Sequence, residues 1–421
     1  MRGILKPLQG SEEFRGLLRG LEINLKQQLV FGLSGSQRSY VFAGLAEKTA
    51  PLPVLVITAG EREAGQLADE ISAMLPAPAV KLFPVWQLLP YNVLAQSNEV
   101  VAQRLEVLEN LVRGEQVVVV APVEAVLRRL IPPAEFRSAV LRLAAGDRVD
   151  PGAVLRRLAD LGYERVDLVE GRGKFSLRGG ILDVFPMTAY RPVRLEFFDD
   201  EIDSIRIFNA STQRSEERIK DLAIYPAREF VAGGPAREEA RRVVEKEYKA
   251  QALKLGRAGD AGAVRRLGEK FDEYLAAIDG YVDGIEQLLP FFYREVITVL
   301  NYFPNNAPVF VDDPVRVKEV ADSIQRERTE TYMELLRTGK ALPSQFLGYA
   351  DWSHVETSLG EKRGVFFSML PRRPQFVNPQ NIVSFSGKSM HSFLGNPKLL
   401  CEEILHWRRA GYAVVIALAG C

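Results

Sequence analysis

Three short runs of uninterrupted apolar residues stand out early in the chain: Leu29-Val30-Phe31, Val54-Leu55-Val56-Ile57 and Val117-Val118-Val119-Val120. Each has the length of a strand. Continuous rather than alternating hydrophobicity marks strands covered on both faces, as in a parallel sheet. Between them, residues 61–74 and 99–112 repeat Leu, Ile and Val at helical spacing. This alternation of strand and helix predicts a layered α/β domain with right-handed crossovers.

The texture changes at Leu130, where Ile131-Pro132-Pro133 breaks the pattern. Residues 151–161 read as one helix, with Asp150 as its N-cap and Pro151 at its first position. From Arg165 onward, strand-length segments at 174–177, 181–185, 194–198 and 202–208 meet Gly and Asp turns, and Phe198-Asp199-Asp200-Glu201-Ile202 reads as a hairpin tip. Residues 126–218 therefore predict a small α+β insertion. Gly233-Gly234-Pro235 breaks the chain again. Residues 237–251 and 261–277 then read as helices whose mixed charges form a solvated face. Strand signals return at 296–300 and 309–311, and a helix at 399–409 precedes a buried-strand run at 412–418. A strand there with no covering helix suggests a piece of a longer polypeptide.

The expected layout is thus an α/β parallel sheet domain interrupted by the insertion. Residues 1–125 form its first part, 126–218 the insertion and 219–355 its second part. Residues 356–421 begin a following, partial α/β domain.

Composition narrows the function classes. Lys+Arg and Asp+Glu both number 54, so no global basic field holds nucleic acid by charge. Cys401 and Cys421 build no disulfide framework, and His354, His391 and His406 lie far apart with no cysteines clustered near them, so no metal site is expected. No apolar run is long enough to span a bilayer and no cleavable leader follows Met1, which points to the cytoplasm and to no membrane partner.

One loop invites a chemical reading. Gly32-Leu33-Ser34-Gly35-Ser36-Gln37-Arg38-Ser39 lies between the first strand and a helical stretch, the setting in which backbone N–H groups wrap a phosphate. The full pattern wants Gly where Gln37 stands and Lys where Arg38 stands. A side chain at 37 obstructs backbone approach, and a planar guanidinium does not replace a compact ammonium. Gly32, Gly35, Ser36, Arg38 and Ser39 remain as candidates in a degenerate cradle, read either as an inert turn or as a weak nucleotide site. No cofactor is expected, ATP with magnesium entering only if this loop still binds. Asp312-Asp313 after the strand at 309–311 is the candidate acid pair of a motor, with an N-cap as the alternative reading. Gly387-Lys388-Ser389 lacks the required first glycine and reads as coincidence.

A family resemblance is carried by three ordered stretches. These are Gly162-Tyr163-Glu164-Arg165-Val166-Asp167, the run from Phe175-Ser176-Leu177-Arg178-Gly179-Gly180 through Ile181-Leu182-Asp183-Val184-Phe185-Pro186, and Arg194-Leu195-Glu196-Phe197-Phe198-Asp199-Asp200-Glu201-Ile202-Asp203. Together with Leu82-Phe83-Pro84 and Leu89-Pro90-Tyr91, they resemble the UvrB-homology region of the transcription-repair coupling factor family. The resemblance implies a RecA-like, P-loop NTPase-type sheet domain whose insertion binds UvrA. It implies no motor in this chain, because the motor and the RNA-polymerase-binding module lie further along in that family. RNA polymerase and DNA would then be partners of the whole protein. The passage 83–116 is too short for the aromatic β-hairpin that UvrB inserts into DNA.

By the same resemblance, Arg178 and Arg194 match arginines that contact UvrA, with Arg165 and Phe185 as neighbours in the motif. Bidentate arginine forks suit carboxylate partners, and Arg is enriched at interface hot spots. Each arginine also reads as a solvated surface residue, and Phe185 as core. The competing function is an enzyme, a UvrB-type DNA-dependent ATPase or helicase. A nucleic-acid binder using local basic patches is a third class.

Overall fold

A computed structural model describes residues 3–75, 79–86, 98–231, 233–280, 285–387, 393, 395–412, 414 and 416. Leu89-Pro90-Tyr91, Lys388, Ser389, His391 and most of the expected strand at 412–418 lie outside these residues.

The early apolar runs become β1 (Gln27–Phe31), β2 (Val54–Thr58) and β4 (Val118–Pro122), with β3 (Val80–Leu82) between the last two in sequence. Seven strands, all parallel, pair in the order β15-β1-β14-β13-β2-β4-β3, where β13 is Pro308–Asp312, β14 Arg363–Ser368 and β15 Asn381–Ser384. Every residue of β2, β4, β13 and β14 is buried, which explains the unbroken apolar runs that mark β2 and β4. Successive side chains still take opposite faces. Leu55, Ile57, Val119, Val309 and Val311 enter one core, whereas Val54, Val56, Val118, Phe310 and Phe367 enter the other. The second core is closed by Phe14, Leu17 and Leu21 of the helix Glu12–Glu22 and by Phe42 and Leu45 of the helix Ser36–Lys48. The first is closed by Leu105 and Leu108 of the helix Asn98–Arg113 and by Val355 and Leu359 of the helix Trp352–Glu361.

Two expectations need correction. The break expected at 356 is not a domain boundary: β14 lies between β1 and β13 at the centre of the same sheet, and β15 forms its edge. Residues 296–300 are not a strand. Asn301 Oδ1 accepts from the Thr298 backbone N–H at 2.8 Å, and this capping box starts the short 3-10 helix Val299–Tyr302 instead.

The insertion holds β5 (Leu141–Ala144), β6 (Glu164–Arg165), β7 (Lys174–Arg178), β8 (Ile181–Phe185), β9 (Val193–Phe198), β10 (Glu201–Phe208), β11 (Ser215–Ile219) and β12 (Asp221–Ile224). Six of them form one sheet in the order β11-β10-β9-β8-β7-β6. β5 pairs with β12, so the ribbon at the neck runs to Ile224, past the expected end at 218. The helix Pro151–Asp160 covers the sheet, its N-terminus capped by Asp150, which accepts from the N–H groups of Gly152 and Ala153 at 2.9 and 3.0 Å. Leu158, Leu182, Val184 and Leu195 continue the first core into the insertion.

At the neck, the fully buried Arg104 forks onto Glu229, donating from Nε to Oε1 and from Nη2 to Oε2 (3.0 Å), while Nη1 donates to the Pro84 carbonyl at 2.6 Å. Its guanidinium lies 3.9 Å over the Phe83 ring. The exit of the insertion is thereby pinned to the helix Asn98–Arg113.

Candidate functional site

Strand register sorts the insertion sheet into two faces. Leu177, Leu182, Leu195 and Ile205 stand opposite one another across four strands and turn toward the core. The neighbouring row on the other face is Ser176, Asp183, Arg194, Arg206 and Arg218, so this face is polar.

Asp183 is the buried centre of that row, 1% exposed. Its carboxylate accepts from Arg194 Nε at 2.7 Å and Nη2 at 2.9 Å, a bidentate fork. Arg194 also donates from Nη1 to the Gln213 carbonyl at 3.2 Å and lies 4.7 Å over the Phe208 ring. Hydrogen bonding to Asp183 pushes the Arg194 guanidinium above its ordinary range. Arg178 shares the same carboxylate by one longer contact, Nη2 to Oδ2 at 3.4 Å, and its side chain is 54% exposed. Most of its donors therefore face solvent.

Arg165, on the edge strand β6, is exposed and makes no ion pair among the described residues. A shallow groove bounded by Arg165, Asp167, Leu168, Leu177 and Arg178 brings the two exposed cations together. The other two named residues are placed differently. Arg194 is largely covered and committed to Asp183. Phe185 is 8% exposed and packs with Val169 and Phe208 in a small apolar cluster, so the expectation of a surface anchor there is not met. Residues 181 and 183 share its face, but the loops around Val169 and Ala210 close over that end. Two residues escaped the sequence reading: Asp183, whose pairing with Arg194 needs the strand register, and Phe198, 81% exposed at the β9–β10 tip.

The candidate loop at residues 32–39 is built as a strand–loop–helix turn. Gly32 (φ +81°) and Gly35 (φ +51°) take left-handed backbone, and Gly35 caps the helix Ser36–Lys48. Its polar groups are used within the chain. Gln37 Oε1 accepts from the Ser34 N–H at 3.1 Å, in the manner of a phosphate oxygen. Arg38 Nη1 donates to Asp312 Oδ1 at 2.5 Å, and the single Ser39 hydroxyl proton is shared between two acceptors in reach, the Ser36 carbonyl at 2.9 Å and the Glu70 carboxylate at 2.5 Å. The segment after β15 roofs the loop: a Cβ on Gly32 would meet the Phe385 carbonyl oxygen at 2.0 Å, and one on Gly387 the Gln37 carboxamide at 2.6 Å. Burial raises the Asp312 carboxyl while Arg38 draws it back down. Asp313 (φ +54°) caps the helix Pro314–Arg337 by accepting from Arg316 N–H. These residues do not fit a bound magnesium nucleotide, because Gln37 fills the cradle and Arg38 occupies the acid.

Residues 141–230 match the model of the UvrB interaction domain, a span that contains the whole polar face just described. A transcription-repair-coupling factor of Bacillus subtilis is 34% identical over 97% of this chain. The chain is a relative of the transcription-repair coupling factors. Proteins of that name from Staphylococcus epidermidis and Staphylococcus aureus are 27% and 28% identical over 92% of it. The chain spans about a third of the length of these relatives: 34% of the Bacillus protein and 33% of each Staphylococcus protein. The family match falls on the insertion, not on the phosphate loop. Among the described residues, no cluster of His, Cys, Asp and Glu suits a metal ion, and no helix is long and apolar enough to cross a membrane.

Proposed function

We propose that this chain is the UvrB-like portion of a transcription-repair coupling factor and recruits UvrA, in transcription-coupled nucleotide excision repair, through the polar face of its insertion. The observation that carries this reading is the half-exposed Arg178 guanidinium on that face, with Arg165, which makes no ion pair among the described residues, lining the same groove at the sheet edge, within the span matching the UvrB interaction domain. Two exposed arginine forks on a rigid sheet suit carboxylates of a protein partner. In this reading Arg194 is a positioning residue: it neutralises Asp183 and thereby frees the donors of Arg178.

The strand order supports the RecA-like part of the proposal, because β1 with its loop and β13 with its acid are separated by β14 alone. The ATPase reading is disfavoured by the internal use of Gln37, Arg38 and Ser39. RNA polymerase and DNA are proposed as partners of the remaining two-thirds of such proteins, and the cytoplasm as the compartment.

Calorimetric titration of UvrA with the chain and with Arg178→Ala and Arg165→Ala tests the proposal. Each truncation is expected to weaken binding by about 1–3 kcal/mol, as charged interface anchors do. Unchanged affinity in the double variant would overturn the assigned face. Stoichiometric heat on adding Mg-ATP would restore the enzyme reading.

A further inference from the structure

Outside the insertion, arginines and aromatic rings alternate in one row: Trp86, Arg128, Tyr349, Arg328 and Tyr332. The Arg128 guanidinium lies 4.7 Å over the Trp86 ring and 5.7 Å from the centre of Tyr349. That of Arg328 lies 3.4 Å over Tyr349 and 5.5 Å from the centre of Tyr332. The backbone builds this row. Trp86 follows β3, and Arg128 follows β4 and the short helix Val123–Leu127. Arg128 forms an antiparallel bridge with Tyr349, flanked by hydrogen bonds from the Ala350 N–H to the Leu127 carbonyl at 2.7 Å and from the Arg129 N–H to the Gly348 carbonyl at 3.1 Å. Arg328 stands on the helix Pro314–Arg337. Arg128 is only 8% exposed, yet its guanidinium makes no hydrogen bond or ion pair among the described residues. Arg328 makes no ion pair there either. Withdrawing a cation from water without an acceptor costs free energy, so these donors call for acceptors that the described residues do not supply.

We infer that Arg128 and Arg328 bind phosphates along the backbone of a nucleic-acid strand. The inference is independent of the UvrA reading. Stacking holds both forks in place before a ligand arrives, so little side-chain freedom is lost on binding, and a planar fork matches the oxygens of a phosphate. Arginines interleaved with aromatic rings are a common lining of single-strand sites. Here the rings hold the arginines rather than the bases, so little sequence preference is expected. Three carboxylates limit the affinity. Glu61 accepts from the Val85 N–H at 3.0 Å and Glu327 from the Ser323 hydroxyl at 3.1 Å, whereas Glu124 has no such partner among the described residues and faces the charge of both arginines. With cations and acids balanced over the whole chain, the dissociation constant should lie at about 1–100 µM.

Fluorescence anisotropy of a labelled oligothymidylate, titrated with the chain at several salt concentrations, tests this. The variants are Arg328→Gln, Glu124→Gln and, as a control for bulk charge, Arg156→Gln on the insertion helix, where the side chain is 72% exposed. Thermal melts accompany each. Arg328→Gln is expected to weaken binding several-fold and to lower the slope of log affinity against log salt by about 0.7, with Arg156→Gln leaving both unchanged. Glu124→Gln should tighten binding several-fold, a gain that a purely structural row would not produce, and it decides the matter if Arg328→Gln melts early. No binding by the parent at low salt, equal losses in Arg328→Gln and Arg156→Gln, or no gain in Glu124→Gln would overturn the inference. Displacement by polyglutamate as readily as by unlabelled oligothymidylate would replace the phosphate with a carboxylate partner and overturn it too.

Discussion

Asp183 takes its two short hydrogen bonds from Arg194, at 2.7 and 2.9 Å, and leaves only a 3.4 Å contact for Arg178. The two arginines should therefore fail in different ways. Arg194→Ala strands a buried carboxylate, and loss of one partner of a buried pair costs about 3–5 kcal/mol. Arg178→Ala removes a half-exposed side chain and should change stability by no more than about 0.5 kcal/mol. Urea melts of the two variants check this, and equal destabilisation would show that Arg178 also serves the fold.

Gly32 is required by two independent features, a left-handed φ of +81° and the Phe385 carbonyl where a Cβ would go. Gly32→Ala must shift the roof segment, at a cost of about 2–4 kcal/mol. Gly35 shares the positive φ but faces open space, so Gly35→Ala should cost only about 1 kcal/mol. Thermal denaturation of the pair separates close approach from backbone strain, and a Gly35→Ala loss as large as that of Gly32→Ala would remove the roof from the account.

Much of the fold was legible because its signals are local. β2 and β4 are buried on both faces and read as unbroken apolar runs, and the β9–β10 hairpin is marked by Asp199-Asp200. Sheet order is not local. β14 opens with Arg363, whose Nη1 donates to the Leu21 carbonyl at 2.9 Å, and its short apolar run Val365-Phe366-Phe367 does not tell that it lies between β1 and β13. The candidate site shows the same division. The motif places Arg165 and Arg178 on one edge. The burial of Arg194 depends on Asp183 eleven residues earlier and two strands' register, and that of Phe185 on loops that fold over it from Val169 and Ala210.

Arg104 and Glu229 join the sheet domain to the exit of the insertion across 125 residues of sequence. Both are buried, so Arg104→Ala leaves an uncompensated carboxylate and is expected to cost about 3–5 kcal/mol. Replacing both, as Arg104→Met with Glu229→Leu, removes both charges and should recover most of that loss. Chemical denaturation of the single and double variants gives the comparison. A double variant no more stable than Arg104→Ala would mean that the bonds to Pro84 and the contact with Phe83, rather than the ion pair, hold the neck.

Glu286 carries the clearest pH dependence. It is 5% exposed, neither carboxylate oxygen has a hydrogen-bond partner among the described residues, and Arg228 approaches only to 3.9 Å. Burial pushes its carboxyl above the ordinary value of 4.5, against the pull of Arg228 and Arg128 and with a small push from Glu229. A raised folded-state value means the folded chain binds more protons than the unfolded chain above pH 4.5. Stability from this group is thus present at low pH and falls as pH rises through the folded value. Glu286→Gln keeps the shape of the protonated acid and removes the titration. The melting temperature of the variant should match the parent at and below pH 4.5, exceed it as pH rises through the folded value, and keep a constant lead above that. Glu109, Glu124 and Asp312 are raised by burial as well, so the parent's own pH profile mixes several groups, and the difference between variant and parent isolates this one. A pH-independent difference would show that Glu286 stays ionised and is stabilised by Arg228.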